Sequence, residues 1–313
     1  MQQVAAPPYP LNATFAAAVI VLGGTLLLVV PLALLPASPL AAGILVALIA
    51  LATPFYTAVL HEAIHGRLAL NAMRNDAMGR AIAICAGVSF DVVRFGHLAH
   101  HRSNRHALDR PDVIEPGQSA LSAGLKYYGH LFGGLYLTEI VTTLAMWLPR
   151  SLIVFLLKRA MASDEPAVTE IRIAAIRVLD RRVWQIRVDA SIIIALYAAA
   201  FYFYGAYWPL LLGAVVLRGF LVSLQDNAPH YGTPATIGAA AHNTSAPHWL
   251  SLFILNQNLH AIHHDRPDLH WNALPGAFGV ADARYAGGYV ALLLRQFRGP
   301  RRPDHMDRRV AAE

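Results

Sequence analysis

Residues 12–35 form an apolar run of 24 residues. A helix of about 20 apolar residues is long enough to cross a hydrocarbon core about 30 Å thick, so this stretch points the chain toward a bilayer before any motif is considered. The composition agrees. Only 14% of the residues are charged, 56% are hydrophobic and the mean hydropathy is +0.43, whereas soluble domains carry about 25% charge. The expected fold class is an all-α integral membrane protein. The net charge of +6 and the pI near 9.6 do not indicate nucleic acid, because the basic residues flank apolar segments, as the positive-inside rule requires. Cys85 is the single cysteine. That excludes a disulfide framework and any iron–sulfur cluster held by cysteines of this chain alone. Residues 1–11 contain no Lys or Arg, unlike the start of a signal peptide.

Apolar and basic segments alternate in a way that sets the expected topology. Residues 12–60 read as a first hairpin, turning at Pro36-Ala37-Ser38-Pro39, with Pro54 inside its second span. Residues 61–188 follow as a cap. Its stretch 66–130 carries eight positive charges, Arg67, Arg74, Arg80, Arg94, Arg102, Arg105, Arg110 and Lys126, and 158–188 carries seven more; both are expected in the cytoplasm. Within the cap, 81–95 is too short to span and reads as an in-plane or partly buried helix. Glu139, Pro149 and Arg150 interrupt 131–157, which reads as a re-entrant or in-plane helix pair. Residues 189–225 form a second hairpin through Tyr207-Trp208-Pro209. The aromatic residues of 197–207 there are candidates for lining a substrate site, with an interfacial belt as the favoured reading. Residues 226–298 complete the cap and 299–313 form a basic tail. About four spans result, and both hairpins begin and end on one face.

That face receives the histidines. His61-Glu62-Ala63-Ile64-His65, His97-Leu98-Ala99-His100-His101 and His260-Ala261-Ile262-His263-His264 are three tight boxes, and His230 follows the last span. Histidines four apart share one face of a helix, and the middle one of His-x-x-His-His is displaced sideways. Such a triad can hold one metal and reach toward a second. Neutral imidazole ligates iron, copper, nickel and zinc; nine candidates are too many for one ion and suit two. A ligating ring needs a partner on its other nitrogen, and Glu62, Asp91, Asp226 and Asp265 are candidates by proximity. Asn227 is a candidate for holding a water near a metal. His-Glu-x-x-His alone would indicate a zinc protease, but that reading leaves seven of these histidines without a role.

Taken as a set, the boxes resemble the membrane fatty acid desaturase superfamily, over residues 40–275. The superfamily includes acyl desaturases, alkane and acyl hydroxylases, and carotenoid ketolases and hydroxylases. Asn227-x-x-His230-Tyr231-Gly232 is similar to a motif of alkane hydroxylases. His263-His264-Asp265-Arg266-Pro267 with Trp271 and Leu274-Pro275 is similar to the third-box region of desaturases and ketolases. The resemblance implies two irons held by His61, His65, His97, His100, His101, His230, His260, His263 and His264, with O2 as co-substrate. It implies desaturation of a lipid acyl chain ahead of hydroxylation or ketolation. No cofactor fingerprint for electron supply is present, so an external carrier such as ferredoxin, rubredoxin or cytochrome b5 is expected. The expected location is a bacterial inner membrane, with the metals on the cytoplasmic side. The rival readings are an intramembrane zinc protease and a metal transporter or sensor.

Overall fold

The structure is a computed structural model that describes residues 7–236, 241–281 and 283–303. Among the described residues all regular structure is helical, with three isolated β-bridges and no strand. Helix α1 (Tyr9–Gly24) continues into a wide π-type stretch, Thr25–Leu34. Pro31 lies inside it; a proline has no N–H for the ladder and crowds the preceding turn. Ser38 ends this helix and starts the next, its hydroxyl accepting from the Ala41 amide at 3.3 Å. Helices α2 (Pro39–Leu51) and α3 (Thr53–Ile64) meet at a bend of 45°, with Pro54 just past it, and are together long and apolar enough for one span. The hairpin returns to its start: Asn12 donates to the Arg67 carbonyl at 2.9 Å and accepts from Trp271 Nε1 at 2.9 Å.

The 81–95 run is not one helix. Helices α4 (Ala72–Cys85) and α5 (Phe90–Ser103) meet inside it at 103°. The last carbonyls of a helix have no partner within it, and those of α4 end in an apolar core. Tyr56 donates to the Ile82 carbonyl and Tyr136 to that of Ala86. Tyr197 and Arg218 donate to the Cys85 carbonyl at 2.9 and 3.2 Å. This accounts for an arginine inside an apolar span: the cation meets the negative end of a helix dipole. It also moves Tyr197 off the expected aromatic belt and into the core. Tyr204 likewise turns inward, to the Leu26 carbonyl at 2.8 Å.

Residues 131–157 form no continuous crossing. Helix α6 (Ala120–Gly129) breaks before α7 (Leu135–Ala145), and α8 (Arg150–Ala160) follows. At the break Gly133 has φ +113°, and a Cβ there would come within 3.3 Å of the Gly219 backbone. Only glycine fits this contact.

The third span differs from its expected limits. Helix α9 runs from Pro166 to Tyr204, 39 residues, about 58 Å at 1.5 Å per residue, well beyond one bilayer core. The arginine-bearing half is helical because Val168, Ile171, Ala175 and Leu179 recur at helical spacing and are buried. A turn at Gly205–Tyr207 leads to α10 (Trp208–Asn227). Leu26, Leu27 and Val30 pack with Val46 and Ile49 of α2, Ala200 of α9 and Leu211 and Ala214 of α10. Val29, Leu32, Leu40, Ile44, Leu48, Ile192 and Val216 face outward, as lipid-facing residues do.

Residues 304–313, most of the basic tail, lie outside the described residues. Ahead of them Arg301 is fixed, its amide donating to the Asp112 carbonyl at 2.7 Å and its guanidinium 4.8 Å over the Tyr231 ring.

A second core joins α3, α4 and α5 beneath the histidines, and Gly79 lies at its tightest point. A Cβ on Gly79 would sit 2.6 Å from the Phe90 ring and 2.9 Å from Ala63 Cβ. Gly79→Ala is therefore expected to destabilise the protein by about 1–3 kcal/mol, the usual range for overpacking. The check is the thermal unfolding midpoint in detergent; a midpoint equal to or above that of the unaltered protein contradicts this packing.

Candidate metal centre

Four segments carry the nine histidines to one face. His61 lies in the last turn of α3 and His65 directly after it. His97, His100 and His101 lie in the last turns of α5. His230 ends the short turn after α10. His260, His263 and His264 lie in α11 (His260–Asp265). Helical spacing then divides them. His61, His65, His97, His101 and His263 form one group, and His100, His230, His260 and His264 form the other. Within each group one ring nitrogen per residue lies within 4.8 Å of all the others. Each His-x-x-His-His box thus supplies both groups. His97 and His101 serve the first while His100, between them, serves the second; in α11 the split is reversed.

In the five-membered group His97 Nε2 lies 2.9 Å from His65 Nε2 and 3.0 Å from His101 Nε2, which is 3.1 Å from His263 Nε2. His61 Nε2 is buried and has no hydrogen-bond partner, although its ring centroid is 4.4 Å from that of His263. The other group closes a ring: His100–His230 3.1 Å, His230–His260 3.1 Å, His260–His264 3.2 Å and His264–His100 3.3 Å, all between Nε2 atoms. A neutral imidazole has one N–H and one lone pair, so such rings cannot all satisfy one another. Two nitrogens held at right angles by one ion at about 2.1 Å lie about 3.0 Å apart. The donor sets therefore fit a metal ion each. Burial, then the neighbouring imidazoles, lower the proton affinity of His260, His263 and His264, which keeps their lone pairs free.

The outer partners differ from those that proximity in sequence indicated. His100 Nδ1 is 2.8 Å from Asp109 Oδ2, a contact that puts the ring proton on Nδ1 and leaves Nε2 for an ion. Burial works to raise Asp109, but the His100 ring and its hydrogen bond outweigh it and hold the carboxylate below its ordinary range. The Gln257 amide lies 3.0 Å from His61 Nδ1, and that of Asn104 3.4 Å from His230 Nδ1. An amide turned to present its oxygen accepts from an Nδ1–H and frees Nε2 in the same way.

Of the residues singled out from the sequence, Asp91 is bonded to Arg80 at 2.9 Å. Glu62 is 3% exposed and accepts from the Trp271 amide. Asp265 is exposed. Asn227 donates to Gln296 Oε1 at 2.7 Å. Asp226 faces a cavity. His106, His130, His242, His248 and His270 lie outside both groups, and His305 lies outside the described residues. One signal pointed to Asp109: Asp-Arg-Pro follows both the second and the third box, at 109–111 and 265–267. Only the first of these returns its carboxylate to a ring.

Asp109→Asn is expected to weaken metal retention about 10–100-fold, the usual effect of removing a ligand's outer partner. Metal content after dialysis against a graded chelator series reads this, and retention equal to that of the unaltered protein contradicts the role.

A cavity of about 500 Å³ opens beside the histidines, with His61, His97, His100 and His260 in its wall. That volume lies within the usual range for small-molecule sites. A bundle of apolar helices, two imidazole clusters that could each hold a metal ion and a cavity against them define a membrane protein with a candidate metal centre. Residues 37–294 match the fatty acid desaturase family, most of the chain. The chain belongs to that family, a family of membrane di-iron oxidoreductases, and is an enzyme of the desaturase or monooxygenase type. No curated protein and no solved structure matches it.

Proposed function

We propose that this enzyme is an O2-dependent di-iron oxidoreductase acting on the apolar chain of a membrane lipid, with desaturation of an acyl chain as the leading reaction. The observation that carries this reading is the pair of imidazole groups, five and four nitrogens, flanking one cavity. Two bound irons would supply the oxidant that takes hydrogen from an unactivated C–H bond. The residues of this chain do the rest. The nine rings would hold two ions, Asp109 fixes the tautomer of His100, and the cavity wall excludes bulk water and aligns the chain.

Hydroxylation or ketolation is the second reading, supported by the Asn227-x-x-His230-Tyr231-Gly232 arrangement. A zinc protease is disfavoured by the site itself. Five clustered imidazoles exceed a four-coordinate zinc site, and the Glu62 carboxylate is engaged by the Trp271 amide. Fifteen positive charges on the two connecting regions favour a cytoplasmic site in a bacterial inner membrane. Arg177, Arg181 and Arg182 are exposed on α9 and suit an acidic electron carrier of the ferredoxin, rubredoxin or cytochrome b5 kind.

The test is mass spectrometry of lipids from cells with and without the protein. One lipid class is expected to lose two hydrogens. A gain of oxygen supports the second reading, and an unchanged lipid profile overturns both.

A further inference from the structure

The cavity beside the histidines is not uniformly apolar. Where α3, α7 and α10 face one another it presents Thr57, Thr138, Glu139, Thr142, Gln225 and Asp226. Thr57 is engaged, 2.9 Å from Gln225 Oε1 and 3.0 Å from the Pro54 carbonyl. The two carboxylates are not. Among the described residues neither Glu139 nor Asp226 takes a hydrogen bond or an ion pair from a protein group. Other carboxylates nearby are paired: Asp91 and Asp189 share Arg80, Asp112 takes Arg105, and Glu165 takes Arg110. Glu139 is half-buried and Asp226 exposed, and both line the cavity.

The two also feel one another. Burial, together with the Asp226 carboxylate, pushes Glu139 up to about 8. A bare hydrocarbon filling this space would leave both groups without a partner, which is unfavourable. Elsewhere the same cavity runs between α8 and α9, where Leu157, Met161, Leu179 and Ile186 line it. One acidic wall and one apolar arm in a single cavity describe the complement of a cationic amphiphile.

We propose that the cavity binds the ammonium group of an amine-bearing lipid between Glu139 and Asp226, with its apolar chain in the arm between α8 and α9. The inference rests on the reading of the cavity as the substrate site. It narrows that substrate from lipids in general to those with a primary amine on the chain or head. The ammonium donates to both carboxylates and relieves their repulsion. An alcohol of the same length fills the arm but does not stabilise the ionised form of the pair.

The experiment is calorimetric titration of the full-length protein in phosphatidylcholine nanodiscs, with empty nanodiscs as the blank. The probes are dodecylamine, dodecanol and dodecanoate. Dodecylamine is expected to bind at least about tenfold more tightly than dodecanol, and dodecanoate most weakly. In Glu139→Gln/Asp226→Asn the amine preference is expected to fall to within about twofold while dodecanol affinity is kept. Should that double variant fail to fold, Glu139→Gln alone decides: a loss of preference of about threefold or more supports the proposal, and an unchanged preference overturns it. Equal affinities in the unaltered protein, tighter binding of dodecanoate, or a preference that survives both substitutions also overturns it. Binding is read apart from iron content and lipid oxidation. An oxidase that lacks the amine preference sinks this proposal alone, and an amine preference without oxidation sinks the catalytic reading alone.

Discussion

His260→Ala is expected to leave the protein folded and to abolish lipid oxidation. His260 contributes one of only four nitrogens in its group and touches both His230 and His264, at 3.1 and 3.2 Å. Three rings would remain, too few for a closed imidazole site. Loss of an outer partner alone is worth about 10–100-fold, so loss of the ligand itself is expected to lower turnover by more than about 100-fold. Iron content should fall by about half, because the five-membered group does not include His260. His248→Ala is the control, since His248 is exposed and belongs to neither group; it should keep both iron and activity. Lipid turnover and iron content of the two purified variants read the result. Full activity in His260→Ala would remove the four-nitrogen group from the mechanism.

Asp112→Ala is expected to be the most damaging change away from the histidines. Arg105 and Asp112 are both fully buried and pair at 2.6 and 3.3 Å. The same guanidinium donates to the carbonyls of Thr233 and Pro234, at 3.1 and 3.3 Å, and Asp112 accepts from the Gly232 amide at 2.8 Å. This pair therefore fastens the loop after the second box to the segment that begins at His230. Removing one partner strands a buried charge, which costs about 3–5 kcal/mol. The loss should appear as a lower unfolding midpoint and as lost iron, because His230 is released. The double variant Arg105→Met/Asp112→Leu removes both charges and is expected to recover part of the midpoint. It should not recover all of it, since the bonds to Thr233, Pro234 and Gly232 go with the pair. A single variant within about 1 kcal/mol of the unaltered protein contradicts the fastening role.

The histidines were legible in the sequence because helical spacing is local. Positions 97 and 101 must share a face and position 100 must not. The outer partners were not legible in the same way. Gln257 meets His61 across 196 residues, and Asn104 meets His230 across 126, and no local pattern encodes such contacts. Asp109 left only the repeated Asp-Arg-Pro as a trace. The length of α9 was hidden because its arginines mask the buried stripe from Val168 to Leu179. Arg218 is a charge inside the apolar stretch 209–225, yet its partner is the end of α4, a helix whose break lies within a run that reads as one apolar segment. Glu139 was visible as an interruption; that it faces a cavity shared with Asp226 depends on how α7 packs against α10.

Two irons, one in each imidazole group, are the expected occupants of the nine-histidine site. Elemental analysis of the full-length protein, purified without added metal from cells grown with iron and zinc both supplied, tests this occupancy most directly. About two irons per chain are expected, with zinc near background. One zinc per chain and no iron would contradict it.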